Sequence, residues 1–147
     1  MTQHILFEAA GLELAVPAHR VSVIHEQLPV EKVSGTKHWF LGLAVSRGRL
    51  LPVSDLGAFV GRQPCQGRTL ELDIDAASLV ALRVGDVSGV CDTEAVEDNK
   101  PADREVDAQN LSFTGKMVRI DGRMHRVLDI AALVQSAAFN QIKDTFS

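Results

Sequence analysis

Much of the chain alternates between apolar and polar residues with a period of two, which is typical of β-strands with one buried face. The alternation is clearest at 70–74, where three apolar residues enclose Glu71 and Asp73. This pattern predicts a half-buried strand whose acidic side chains lie on the face opposite the core. Short apolar runs bounded by turn residues predict further strands at 5–8, 12–16, 79–84 and 87–90. The chain is therefore predicted to be mainly β.

Two-residue turns are predicted to join some of these strands into hairpins. Asp121-Gly122 lies between two apolar pairs and is the strongest short hairpin signal in the chain. Arg47-Gly48 occupies an equivalent position in the first half, between the apolar stretches on either side of it. We expect Gly48 to adopt the positive φ that a residue with a side chain resists.

The two halves of the chain resemble each other in order and content. RGRLLPVSDLGAFV at 47–60 aligns with DGRMHRVLDIAALV at 121–134, and the preceding segments align more loosely. A unit of roughly 70 residues that occurs twice indicates a duplicated lobe rather than a solenoid. We therefore predict a single domain over 1–147, with an internal repeat at approximately 4–61 and 69–134.

After each repeated strand the spacing of apolar residues changes to that of a helix. Asp55 and Asp129 each precede apolar residues at i, i+3 and i+4, so both are predicted to be helix N-caps rather than catalytic groups. The second helix is predicted to be the longer, over about 129–143. The polar segments 28–37 and 91–110 are predicted to be loops, and the second of these, which includes Asp92 to Asn110, is strongly acidic.

Composition narrows the possible functions. The 147 residues have a formal net charge of -4 and form no dense basic stripe, which argues against nucleic-acid binding. No apolar run approaches the ~20 residues of a membrane span, and the start lacks the pattern of a signal peptide. A cytoplasmic location is therefore predicted, with Cys65 and Cys91 as two free thiols.

Catalytic and metal-binding patterns are not found in the sequence. The five histidines are scattered, no serine lies in a GxSxG turn, and no glycine-rich phosphate loop is recognisable. The prediction is a protein without catalytic activity, metal or cofactor. Two alternatives remain: a β-barrel that binds a small ligand, and a hydrolase that uses His25 and Asp55.

The apolar residues beside the Arg47-Gly48-Arg49 turn allow two interpretations. Leu43, Val45, Leu50 and Leu51 can all be core residues of a small domain, or some of them can face a partner. Arg47 can be a solvated turn residue, or a rigidly held donor for a carboxylate on a partner. The residues alone leave both interpretations open.

Three segments together resemble the CheW-like domain, found in coupling proteins of bacterial chemosensory arrays and in the regulatory domain of the kinase CheA. They are ELAVPAHRVSVI, WFLGLAVSRGRLLPVSDL and LVALRVGDVSGV, and the resemblance extends over about residues 4–134. It implies two small five-stranded SH3-like barrels packed together, with the chain crossing between the lobes.

The resemblance also implies a non-catalytic adaptor. Such proteins connect the cytoplasmic tip of a chemoreceptor (a methyl-accepting chemotaxis protein) to the regulatory domain of a CheA-type histidine kinase. By position in the family pattern, the expected receptor-facing residues are Val21, Gly42, Leu43, Val45 and Arg47. The expected kinase-facing residues are Val84, Val87 and Val90.

One departure from the family pattern concerns Arg47. Many relatives have a glutamate two residues after the position of Val21, where it pairs with the arginine, but this chain has Val23. We expect Glu26 or a receptor residue to replace that glutamate, or Arg47 to be freer than usual. The Trp39-Phe40-Leu41-Gly42 stretch is most similar to the PilI-type branch, which serves type IV pili and twitching motility. Flagellar chemotaxis is the alternative.

Overall fold

Ten β-strands and three short α-helices make up most of the described chain. The structure, a computed structural model, describes residues 2–75, 78–95 and 114–143. The strands are β1 (Thr2–Ala9), β2 (Leu12–Pro17), β3 (Val21–His25), β4 (Phe40–Ser46), β5 (Arg49–Asp55), β6 (Thr69–Asp75), β7 (Ser78–Arg83), β8 (Val87–Ala95), β9 (Thr114–Ile120) and β10 (Arg123–Leu128). The helices are α1 (Leu56–Phe59), α2 (Ile130–Gln135) and α3 (Ala137–Asn140), and a 3-10 helix spans Ala18–Arg20.

The strands form two five-stranded lobes, each built from both halves of the chain. One lobe is a closed barrel in the order β1-β2-β10-β9-β8, and the other is a sheet in the order β3-β6-β7-β5-β4. The only parallel pairs among the described strands, β2 with β10 and β5 with β7, join the two halves of the chain within each lobe. The predicted mainly β fold with two five-stranded lobes is confirmed. The second lobe differs from a closed barrel because its edge strands β3 and β4 are not hydrogen-bonded to each other.

Strand alternation divides the core into three layers. In β6, Leu70 and Leu72 belong to the large cluster between the lobes, together with Leu14 of β2 and Leu82 of β7. A second, smaller cluster lies on the inner face of the closed barrel, and a third lies on the other face of the second sheet. The second comprises Leu6, Ala15, Val118 and Val127, and the third Ala44, Leu51, Val53 and Ala81.

The predicted two-residue turns are present and share one geometry. Arg47 has φ of 52° and Gly48 of 76°, while Asp121 has 48° and Gly122 has 78°. Positive φ at both central residues is the type I′ geometry, whose twist matches that of the joined strands. Gly48 therefore has the conformation expected from the sequence, and Arg47 adopts the left-handed region as well.

Both predicted N-caps are confirmed. The Asp55 carboxylate accepts a hydrogen bond from the Ala58 amide at 2.9 Å, and that of Asp129 accepts one from the Ala132 amide at 3.1 Å. The single helix predicted over about 129–143 is instead divided into α2 and α3. Ser136 has extended backbone angles, φ of -72° and ψ of 139°, and its hydroxyl caps α3 by accepting from the Phe139 amide.

The acidic segment begins with strand rather than loop. Residues 91–95 complete β8, in which Cys91 and Thr93 point inward while Asp92 and Glu94 are exposed. The period-two pattern thus continues into a stretch whose charge suggested a loop. The remainder of the segment lies outside the described residues.

The two capping aspartates should differ in their contribution to stability. Asp55 is buried and also accepts hydrogen bonds from the Cys65 amide at 2.9 and 3.0 Å, whereas Asp129 is exposed. We expect Asp129→Ala to lower the free energy of unfolding by about 1 kcal/mol. Asp55→Ala should lower the free energy of unfolding by roughly 3 kcal/mol, because the buried Cys65 amide loses its acceptor as well as the Ala58 amide. Urea denaturation of both variants measures the difference, and equal losses would contradict this assignment.

Candidate functional site

The β4–β5 hairpin presents apolar and basic side chains to solvent. Val45 and Leu50 are directly opposed across the hairpin and are 66% and 69% exposed. Arg47 lies between them at the turn, and Arg49 is also exposed. By contrast, Leu51 is fully buried on the other face of β5. Of the four leucine and valine residues that sequence analysis left ambiguous, two therefore form a surface pair.

A buried carboxylate, Glu71 of β6, lies beneath this hairpin. Its Oε1 accepts hydrogen bonds from the Ser46 hydroxyl at 2.7 Å and from Nε2 of His25 at 2.9 Å. Its Oε2 accepts from Nη2 of Arg47, and the Ser22 hydroxyl lies 3.5 Å away. The Glu71 side chain is 0% exposed, whereas the Arg47 side chain is 58% exposed. One buried group therefore holds both the end of β4 and the exposed arginine.

The same contacts keep Glu71 ionised. Burial alone raises the pKa of a carboxyl group, but the hydrogen bonds from Ser46, His25 and Arg47 and the charge of Arg47 lower the pKa of Glu71 to about 2. Since an ionised carboxylate only accepts hydrogen bonds, Nε2 of His25 must carry the proton of their shared bond. The network is consequently an ion pair between Glu71 and Arg47, supported by hydrogen bonds from Ser46 and His25.

Glu71 also joins the two edge strands of the second lobe. His25 and Ser22 lie on β3, and Ser46 and Arg47 lie at the end of β4, so side chains connect edges that share no ladder hydrogen bonds. The expectation that Glu71 would lie on a solvent face was wrong, because both faces of β6 are covered at this position. The alternation of apolar and acidic residues at 70–74 did not indicate that the Glu71 side chain is buried.

The partner of Arg47 differs from those considered in the sequence. Glu26 pairs with Arg68 at 3.2 Å rather than with Arg47. Val23, the position at which the resemblance implied a pairing glutamate, is the cross-strand neighbour of Glu71. The carboxylate that pairs with Arg47 in this chain therefore lies on β6, the strand next to that position.

The other expected receptor-facing residues have partly structural roles. Gly42 has φ of 136°, and a Cβ there would lie 1.9 Å from the Glu31 carbonyl oxygen. Only glycine fits this backbone contact, which is held by two hydrogen bonds between Glu31 and Leu43. Leu43 and Val21 are half-buried and pack against the core between the lobes. Val45 and Arg47 are thus the most exposed members of this group.

The expected kinase-facing residues separate into one core residue and two residues of β8. Val84 is fully buried in the core between the lobes, so its side chain is not on the surface described here. Val87 is half-buried against the same core, and Val90 is 56% exposed. Val90 lies opposite Ile5 on the outside of the closed barrel. The exposed valines Val45 and Val90 therefore belong to different lobes.

Three further titratable groups whose pKa values are shifted, His4, His125 and Cys65, are buried. Burial lowers the pKa of His4, whose Nδ1 is 2.7 Å from the Thr93 hydroxyl, and that of His125 in β10. Burial likewise raises the pKa of the Cys65 thiol to about 11, and Cys91 is free and half-buried. Within the described residues, no three histidine, cysteine or acidic side chains are grouped to hold a metal ion. The helices described there are too short to cross a membrane.

Comparison with known proteins gives one family and one fold. The family model for the CheW-like domain matches residues 3–138. Among solved structures, the scaffolding protein TtCheW from Thermoanaerobacter tengcongensis is 17% identical with a TM-score of 0.73. That similarity covers 93% of this chain and 94% of the other, and at this identity it shows the fold alone. No curated protein matches the chain by sequence.

Glu71 should make stability depend on pH in the acid range. Its pKa is about 2 in the folded protein and 4.5 ordinarily, so its stabilisation is complete above pH 4.5 and is lost as pH falls toward 2. The shift corresponds to roughly 3 kcal/mol. We expect the difference in unfolding free energy between the native protein and Glu71→Gln to shrink over this range. Urea denaturation at a series of pH values measures it, and a constant difference would contradict an ionised Glu71.

Proposed function

The chain belongs to the CheW-like domain family, and from this we propose that it is a non-catalytic adaptor that couples chemoreceptors to a CheA-type histidine kinase. Its action would consist of binding two proteins at once, with no covalent chemistry. The two exposed groups on separate lobes support this proposal, because a coupling protein needs two surfaces that can be occupied together.

The receptor-binding surface is proposed to be the β4–β5 hairpin. The observation that supports it best is the opposed pair Val45 and Leu50, which remains two-thirds exposed although few large apolar residues are exposed in the described part of the chain. A partner that covered both would gain about 1–2 kcal/mol from each. Arg47 would supply directed hydrogen-bond donors beside this apolar pair. Val21, Gly42 and Leu43 would contribute to this surface mainly through their packing and backbone contacts.

The kinase-binding surface is proposed to be the outer face of β8. Val90 is its exposed apolar residue, and Val87 packs beneath the same face. Val84 would act only as core support. Because β8 is paired with β1 along most of its length, this surface is held by the closed barrel rather than by a loop.

The two surfaces should be separable by matched substitutions. Val45→Asp should weaken binding to a receptor cytoplasmic fragment by at least about tenfold, because an unpaired carboxylate would be buried at the contact. It should leave binding to the kinase regulatory domain unchanged. Val90→Asp should have the reverse effect. Isothermal titration calorimetry with each purified partner measures both affinities.

Each valine variant serves as the control for the other. Both replace a mostly exposed strand valine by aspartate, so both should lose no more than about 1 kcal/mol of stability. A native protein that binds neither partner would contradict the proposed function. Loss of both partners from a folded single variant would contradict the assignment of the two surfaces.

The pathway is proposed to be the one that controls type IV pili and twitching motility. The support is the PilI-like stretch Trp39-Phe40-Leu41-Gly42. The Trp39 ring is buried and contacts the rings of Phe59 and Phe139, so the stretch is part of the core. Flagellar chemotaxis is the competing pathway for the same adaptor role.

Deletion of the gene distinguishes the two pathways. We expect the deletion strain to lose twitching on a surface and to retain directed swimming, because only the pilus pathway would lack its adaptor. Restoring the native gene should restore twitching, whereas restoring Val45→Asp should not. A strain that twitches normally and fails to swim up a gradient would assign the protein to flagellar chemotaxis.

A further inference from the structure

We propose that Glu71 is a positioning residue for partner binding, which acts through Arg47 without touching the partner. This inference rests on the proposed function, in which Arg47 contacts the receptor. The carboxylate is buried beneath the hairpin, so no partner can reach it. Its effect on binding must therefore pass through the groups that it holds.

The first argument is the restraint that Glu71 places on Arg47. An arginine on a hairpin tip has many rotamers, and a partner that binds it must order the side chain at a cost in entropy. Here one end of the guanidinium donates from Nη2 to a buried acceptor. More than half of the Arg47 side chain remains exposed, which leaves other N–H donors accessible. The side chain is thus ordered before a partner arrives.

The second argument is that the carboxylate itself has little freedom. Ser46 and His25 hold one oxygen, while Arg47 bonds to the other. Rotation of the carboxylate would break at least one of these bonds inside a buried site. Because the donors come from β3 and from the end of β4, the position of the guanidinium is fixed relative to two strands.

The third argument concerns charge. The buried negative charge of Glu71 offsets the positive charge of Arg47, so Arg47 would contribute directed donors more than net attraction. Arg49, at the start of β5, is exposed and forms no described ion pair. Arg49 would supply the charge that attracts a partner from a distance. The two arginines of the hairpin would therefore have different roles.

Val23 offers a test by rescue. It is the cross-strand neighbour of Glu71, so the two side chains project from the same face of adjacent strands. A glutamate at position 23 would place a carboxylate next to the one removed in Glu71→Gln. If the role of Glu71 is to hold Arg47, Val23→Glu should recover partner binding in that background.

The decisive experiment is a double-mutant cycle on receptor binding. Arg47→Ala should raise the Kd for a receptor cytoplasmic fragment by about tenfold, and Glu71→Gln should raise it by roughly fivefold. The variant with both changes should bind no more weakly than Arg47→Ala alone, because Glu71 has no route to the partner except through Arg47. If the increase in Kd of the double variant equals the product of the two single increases, the proposal is overturned.

Asp55→Asn is the matched control for lost stability. It makes the same change from carboxylate to amide at another buried position, which contacts Ala58 and Cys65 rather than Arg47. It should lower stability without changing the Kd, when all variants are measured at a temperature at which circular dichroism shows them folded. A similar loss of affinity in Asp55→Asn would show that binding follows stability in general and would contradict a specific role for Glu71.

Nuclear magnetic resonance of the native protein gives a measurement that needs no destabilised variant. A fixed Arg47 should show distinct, slowly exchanging guanidinium protons, assigned by their disappearance in Arg47→Lys. Averaged signals would overturn the proposal. Failure of the native protein to bind the receptor fragment would contradict the proposed function instead, whatever these signals show.

Discussion

The Glu71 carboxylate is the constraint on which the second lobe depends. This lobe has five strands but does not close by ladder hydrogen bonds, because β3 and β4 remain its edges. Donors from both edges converge on one buried acceptor instead. A buried charge stabilises a fold only when it is fully paired, and removal of one partner typically costs about 3–5 kcal/mol. The same bonds that close the lobe therefore also hold the exposed hairpin in place.

The interleaved topology explains how so small a domain can support two surfaces. Each lobe takes strands from both halves of the chain, and the largest apolar cluster lies between the lobes. Neither lobe has a large core of its own, so the two depend on each other for burial. This arrangement places the β4–β5 hairpin and the outer face of β8, the two surfaces proposed for partner binding, on strands of one packed unit. Surfaces held by paired strands would lower the ordering cost of each proposed partner contact.

Local features of the fold could be predicted from the sequence. The glycines at 48 and 122 and the aspartates at 55 and 129 act through their immediate neighbours, so short stretches were sufficient to predict turns and caps. The prediction of a single C-terminal helix was wrong, and the reason is also local. The Ser136 hydroxyl caps the start of a separate helix, α3. The resemblance to the CheW-like domain was confirmed by a family model that matches residues 3–138, across both halves of the chain.

The burial of individual side chains was decided by the tertiary structure. A period of two separates the faces of a strand but does not say which face is covered, and at Glu71 both faces are covered. Arg47 and His25 lie 24 and 46 positions away from Glu71 in the chain, so only the folding of the lobe brings them together. For the same reason Val84 is in the core while Val45 and Leu50 are exposed. The sequence determined where strands, turns and caps form, and the packing of the lobes determined which of their residues a partner can reach.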